Sequence, residues 1–243
     1  MGDLAHDYYE RFWADADYNL QYAWDSARRD RLPALKAAAG RFLPFGRALD
    51  FGCGNGVFTH WMFENGVANE IDGYDVSATG VGFAQENFAR PGLAYRHFDP
   101  AQGLPETACG YNAIIASHVL EHVPDPVATL NDLKARCEWL IIEVPLESVL
   151  VTNTIFRLTG RDRRANPVGH LHFWTRTRFE ALLREAGLVV EARHHYASAP
   201  FSPYTAGWKT GIERVALAVL GLQTYGRLLA THYCVLVRAK PAG

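Results

Sequence analysis

The stretch Ala48-Leu-Asp-Phe-Gly-Cys-Gly-Asn-Gly56 constrains this chain most, because it runs a short apolar strand into an acidic residue and three glycines on alternate positions. Gly52, Gly54 and Gly56 carry no Cβ, so the backbone can turn tightly with positive φ and lie against a bound molecule. A helix expected from Val57 would aim its unpaired N–H groups at the same spot. Strand, glycine turn and helix make a Rossmann-like unit.

The spacing of the glycines narrows the ligand. A dinucleotide fingerprint needs Gly-x-Gly-x-x-Gly, which from Gly52 puts its third glycine at position 57, where this chain has Val57. A phosphate-cradling loop ends in Gly-Lys-Ser/Thr, and nothing of that kind follows Gly56. NAD, ATP and GTP all lose support.

Periodicity along the rest of the chain alternates strand and helix. Strands are expected over 47–51, 70–74, 93–98, 112–117 and 138–144, with helices over 57–66, 78–89 and 126–136. A further helix over 176–186, closed by Gly187, leads into strand 188–195, and a helix over 208–221 leads into strand 232–239. That alternation implies a parallel, doubly wound sheet with right-handed crossovers. We expect one domain over 1–243, with a helical N-terminal cover (1–40), a cofactor-binding half (41–145) and an acceptor-side half (146–243).

The Asp50-to-Gly56 segment resembles motif I of the class I S-adenosylmethionine-dependent methyltransferases. The resemblance extends through Glu70-Ile-Asp-Gly-Tyr-Asp75 and Tyr111 to Pro126, where His118-Val-Leu-Glu-His-Val-Pro-Asp-Pro126 looks like the ubiquinone-biosynthesis and related small-molecule methyltransferases, and on to Gly169-His-Leu-His-Phe-Trp-Thr175. It implies a seven-stranded, mostly parallel sheet whose last strand enters antiparallel between its neighbours. It also implies S-adenosyl-L-methionine as cofactor, with S-adenosyl-L-homocysteine as product. The cofactor contacts implied are Asp50 on the amino group, the loop residues Phe51, Gly52, Gly54, Asn55 and Gly56, and Asp75 with Val76 at the ribose. Asp99 near the adenine amino group, Ser117 and His118 complete the set. The residues themselves leave Asp75 the alternative of capping the next helix, and Asp99, before Pro100, that of a turn residue.

His118-Val-Leu-Glu-His122 also spells the inverted zinc-protease signature. Pro124 and Pro126 prevent the continuous helix a peptidase needs there. No metal is assigned, although His118, Glu121 and His122 would suit zinc or another transition ion better than magnesium.

For the acceptor, no Asp/Asn-Pro-Pro-Tyr/Phe motif and no Pro-Cys pair occurs, which counts against DNA bases and protein amides. A net charge of −2 gives no reason to expect nucleic acid. A small molecule methylated on oxygen is the favoured reading; N-methylation, or a cofactor-binding regulator without catalysis, are the alternatives. An alcohol or phenol must lose its proton near the transition state, a task suited to imidazole. His122 is the first candidate base, followed by His170 and His172. Six arginines between Arg157 and Arg178, offset only by Asp162, favour an anionic acceptor. Seven aromatics between Tyr8 and Trp24 would suit a lid over an apolar or aromatic one. Four scattered cysteines offer no zinc ribbon or disulfide framework. No apolar run is long enough to span a membrane and the N-terminus has no basic-apolar leader, so a cytoplasmic enzyme is expected.

Overall fold

The computed structural model describes residues 10, 16–160, 162, 169–204 and 206–239. It opens with helix α1 (Ala16–Ser26), a π-helical turn (Ala27–Arg31) and α2 (Leu32–Ala39). The sheet follows with β1 (Phe45–Phe51), α3 (Val57–Glu64), β2 (Ala68–Asp75), α4 (Ala78–Phe88), β3 (Leu93–His97) and β4 (Tyr111–Ser117). Then come α5 (Pro126–Arg136), β5 (Cys137–Leu146), α6 (Leu150–Thr159), α7 (Arg176–Glu185), β6 (Val189–Tyr196), α8 (Gly207–Leu228) and β7 (Thr231–Arg238).

The seven strands lie in the order β3-β2-β1-β4-β5-β7-β6. β1 to β5 pair in parallel, and β7 runs antiparallel to both β5 and β6. The sheet therefore agrees with the expected topology, including the antiparallel insertion. Order reverses between β1 and β4, and the crevice beyond the carboxyl ends of those strands is where an open α/β sheet places its ligand.

Both faces of the sheet are buried, as a near-continuous apolar strand requires. Ala48, Ile71, Ala113, Ile115 and Ile141 point to one side, against α2, α3 and α4. Leu49, Ile114, Ala116, Leu140 and Ile142 point to the other, against Leu130 and Leu133 of α5 and Phe179 and Leu183 of α7. Local chemistry sets the helix starts. Ser77, Asp125 and Thr175 each accept a hydrogen bond from the N–H three residues on, the standard N-cap arrangement, and Pro126 occupies the first turn of α5.

Two elements differ from the sequence reading. α6 was not expected; it has no side-chain cap and none of its residues is buried. α8 runs to Leu228 rather than 221, with a kink at Gly221, whose φ is 68°. In the N-terminal segment, α2 buries Leu32, Leu35 and Ala38 and packs on β5, β6 and β7. Trp24 packs edge-on to Trp61 and Phe88. Tyr22 stays exposed, against Tyr204. Tyr8, Tyr9, Phe12, Trp13 and the side chain of Tyr18 lie outside the described residues.

Candidate cofactor and acceptor site

The glycine loop closes over the carboxyl end of β1. Gly52, Gly54 and Gly56 have φ of 81°, 55° and 76°, the left-handed region that only glycine enters freely. Gly52 and Gly54 donate their N–H groups to Tyr74 O and Asp75 Oδ2, tying the loop to β2. A Cβ on Gly56 would sit 2.6 Å from Ala84 Cβ and 2.7 Å from Tyr95 Cε1, so this glycine lets α3 pack close to the sheet. Asn55 Oδ1 accepts from Val57 N, the first residue of α3.

Two buried carboxylates flank the loop. Asp50 is fully enclosed; its Oδ2 accepts from Thr59 Oγ1 at 2.6 Å, and its Oδ1 has no hydrogen-bond partner. Burial raises its pKa to about 6, with the charge of Arg31 and the Thr59 hydroxyl opposing and Asp75 reinforcing the rise. Such an orphan acceptor fits the amino group of S-adenosylmethionine. Asp75 accepts from Gly54 N at 2.7 Å and from Ser77 N at 2.8 Å, which leaves each oxygen a second acceptor position. Burial raises its pKa as well, against the lowering effect of those backbone bonds. The cap of α4 is Ser77, not Asp75.

Of the other expected contacts, Phe51 is buried against Phe98, and Val76 accepts from His97 through its carbonyl. Asp99 lies exposed in a turn, accepting from Ala101 N and Gln102 Nε2. Ser117 donates to Glu143 Oε2 and accepts from Arg31 Nε at 2.8 Å, while Arg31 also donates to Ser117 O. Arg31 lies over the Phe58 ring at 3.9 Å. Arg31, Glu143, Tyr196, which donates to Glu143, and His232 were missed by sequence reasoning. The Arg31–Ser117 contact joins positions 86 residues apart, and no local pattern announces it.

The loop after β4 carries the histidines. His118 adopts φ 59° and donates its N–H to Glu143 O. Its Nδ1 lies 3.2 Å from Glu121 Oε1, and its ring meets that of His232 edge-on at 5.1 Å. Burial pulls the His118 pKa down, but the Glu121 hydrogen bond and the charges of Glu143 and Glu121 prevail and raise it. Glu121, fully buried, is pushed up by burial yet held at about 2, mainly by His118 and then by His122.

A second loop is stitched to this one. Leu171 and His172 donate their N–H groups to Glu121 O, His122 Nδ1 bonds Gly169 O at 3.3 Å, and His172 Nε2 bonds Val123 O at 2.9 Å. The rings of His122 and His170 are 4.8 Å apart, and His170 Nδ1 lies 2.6 Å from Glu147 Oε2. His172 stands apart from this pair, stacked on Trp174. Since a carbonyl can only accept, His122 carries its proton on Nδ1, and Nε2 is the basic nitrogen. Burial, aided by the charge of His170 and opposed by Glu121, lowers the His122 pKa. His122 is thus biased toward its neutral form and His118 toward its charged form.

Glu121, His122 and His170 present donor atoms within 4.8 Å of one another, and Glu121 Oε2 is buried without a hydrogen-bond partner. The donor set suits a transition ion, with His170 rather than His118 as the second imidazole. Tetrahedral zinc needs ligand atoms about 3.3 Å apart, so the cluster would have to contract to hold one. Behind the second loop lies a cavity of about 430 Å³ whose lining includes Ser148, His172, Trp174 and Arg178.

A family model for a methyltransferase domain matches residues 17–193. Ubiquinone biosynthesis O-methyltransferase of Methylococcus capsulatus is 32% identical over 134 residues, covering 54% of this chain and 52% of that protein. The enzyme of the same name from Aromatoleum aromaticum is 26% identical over 144 residues, covering 58% and 55%. The chain spans about half the length of the curated relatives it matches. Among solved structures, phosphoethanolamine N-methyltransferase 2 of Haemonchus contortus, with phosphomonomethylethanolamine and S-adenosylhomocysteine, superposes with a TM-score of 0.63. Its identity is 12%, over 96% of this chain and 60% of that one. The [4+2]-cyclase SpnF gives 0.59 at 18% identity, over 86% and 79%. At such identities the likeness shows the fold alone. With the family model spanning most of the chain and the seven-stranded sheet carrying its antiparallel β7, the chain belongs to the class I S-adenosylmethionine-dependent methyltransferases.

Proposed function

We propose that the chain transfers a methyl group to an oxygen of a small molecule, with His122 as the base that takes the acceptor's proton. The observation that carries this reading is the His122 environment. Its Nδ1 is tied to Gly169 O, its pKa is lowered, and it shares a loop with Ser117 and His118 at the carboxyl end of β4. The O-methyltransferase relatives support oxygen as the acceptor atom.

S-adenosylmethionine, when bound, supplies an electrophilic methyl whose thioether leaving group needs no proton. The residues that would hold it are the Gly52–Gly56 loop, Asp50 toward the amino group, Asp75 toward the ribose hydroxyls and Arg31 toward the carboxylate. The protein's remaining work is to position the acceptor, exclude water and remove one proton. Glu121 and the Gly169 carbonyl fix the loop and tautomer of His122, and the His170–Glu147 pair backs its ring.

Radiolabelled methyl transfer from S-adenosylmethionine to a panel of phenols, catechols and aromatic acids tests this. His122→Asn should cut kcat by about 10²–10⁴ with S-adenosylhomocysteine affinity unchanged. Turnover of amines alone, indifferent to His122, would defeat the proposal.

The orphan Glu121 Oε2 favours a second reading, in which Glu121, His122 and His170 hold a divalent ion that polarises the acceptor oxygen. Activity that collapses in EDTA and returns with added zinc or manganese would select it; activity indifferent to EDTA selects the base.

A further inference from the structure

We infer that α6 and α8 form a face that docks on an anionic phospholipid surface. The two helices touch one another, and both expose apolar residues. α6 (Leu150–Thr159) buries no residue at all, and exposes Leu150, Val151, Ile155 and Leu158, the last at 80%. α8 is inverted relative to a normal surface helix. Its buried side chains are Thr210, Glu213 and Tyr225, with Tyr225 Oη donating to Glu213 Oε2. Its exposed stripe is Trp208, Ile212, Val215 and Val219, spaced four, three and four residues apart, with Trp208 at 72% and Val219 at 76%. A helical stripe at that spacing is a binding face, and here no part of the described chain covers it.

Charge selects the occupant. The one acid on either helix, Glu213, is buried; the exposed charges are Arg157 on α6 and Lys209, Arg214 and Arg227 on α8. The chain as a whole has a net charge of −2, so this face is basic on a mildly acidic molecule. Arg214 donates its Nε to Pro200 O and Arg227 follows the kink at Gly221, so the cations at the stripe are Lys209 and, on α6, Arg157. Exposed apolar side chains with Lys and Arg beside them and Trp at one end are the composition of helices that lie in the headgroup region of anionic bilayers. A second copy of the chain fits poorly, because two such faces would oppose their cations with no exposed carboxylate on either helix to pair them. Neither helix is long and apolar enough to cross a membrane, so the geometry is docking rather than spanning. α6 follows β5 and α8 precedes antiparallel β7, so both are attached at the sheet edge that carries the candidate site.

Flotation with unilamellar vesicles of phosphatidylcholine, alone or mixed with phosphatidylglycerol, tests the inference. The chain should float with the mixed vesicles and not with pure phosphatidylcholine, and added salt should weaken binding. Trp208→Ala/Ile212→Ser should lower the partition coefficient about tenfold or more. Arg157→Glu/Lys209→Glu, which leaves the apolar stripe intact, should abolish the preference for phosphatidylglycerol. The substituted positions are exposed, and circular dichroism should match the unmodified chain. Failure to float with mixed vesicles, or flotation unaffected by either double variant, overturns the inference. So does a dimer that Trp208→Ala/Ile212→Ser dissociates, which would assign the face to a second copy.

Discussion

Replacing Gly56 with alanine should destabilise the chain by about 2–5 kcal/mol. Two independent costs contribute. Alanine at φ 76° places its Cβ against its own carbonyl, at about 1–2 kcal/mol. The same Cβ would lie 2.6 Å from Ala84 Cβ and 2.7 Å from Tyr95 Cε1, and both residues are buried and cannot retreat. Overpacking of this kind costs about 1–3 kcal/mol. Gly66→Ala is the internal control: its φ is 67°, but nothing lies within 4 Å of the added methyl, so only the backbone cost applies. The two variants should therefore differ by about 1–3 kcal/mol, or about 2–12 °C in midpoint for a chain of this size. Thermal and urea unfolding of each variant without cofactor, followed by circular dichroism, reads the difference. Equal losses would refute the claim that Gly56 exists for the close approach of α3 and α4 to the sheet.

Other outcomes follow from the charged groups. The Asp50 pKa of about 6 lies above its unfolded value, so the chain without cofactor should lose stability as pH rises between about 4 and 6. Cofactor affinity, which uses the ionised carboxylate, should rise through the same window and be flat in Asp50→Asn, as calorimetry at several pH values would show. Asp72 is shifted the other way: burial pushes it up, but hydrogen bonds from Arg96, Arg47 and Tyr111 hold it below the usual value. Its stabilisation should be present above about pH 4 and lost as pH falls further, and Asp72→Asn should remove that part of the acid sensitivity in a denaturation series. Arg31→Lys keeps the charge but loses the planar fork that holds Ser117, and should weaken S-adenosylhomocysteine binding about tenfold or more in direct titration.

The cofactor half was legible because its signal is local. Strand, acid and glycine turn follow one another within nine residues and Asp75 closes the next strand, so periodicity placed the elements and the resemblance to a known motif supplied their ligand. The caps of α4, α5 and α7 are equally local signals, yet the sequence reading offered Asp75 rather than Ser77 for α4 and singled out neither Asp125 nor Thr175. Arg31 was not legible, because its partner lies across the fold in a strand that no spacing rule connects to a helical turn. His170 and His172, two residues apart, looked equivalent in sequence; only the paired loops send one to His122 and Glu147 and the other to Val123 and Trp174. α6 escaped notice because its apolar residues do not face the core, and amphipathic reading finds helices by the face they bury.

The glycine loop with Asp50 and Asp75 should prove to be an S-adenosylmethionine site. Calorimetric titration of the chain and of Asp75→Ala with S-adenosylmethionine, S-adenosylhomocysteine and NADH tests it most directly. Both sulfur ligands should bind the chain and lose affinity in the variant, and NADH should give no heat. Tight NADH binding, or sulfur-ligand affinity untouched by Asp75→Ala, would contradict it.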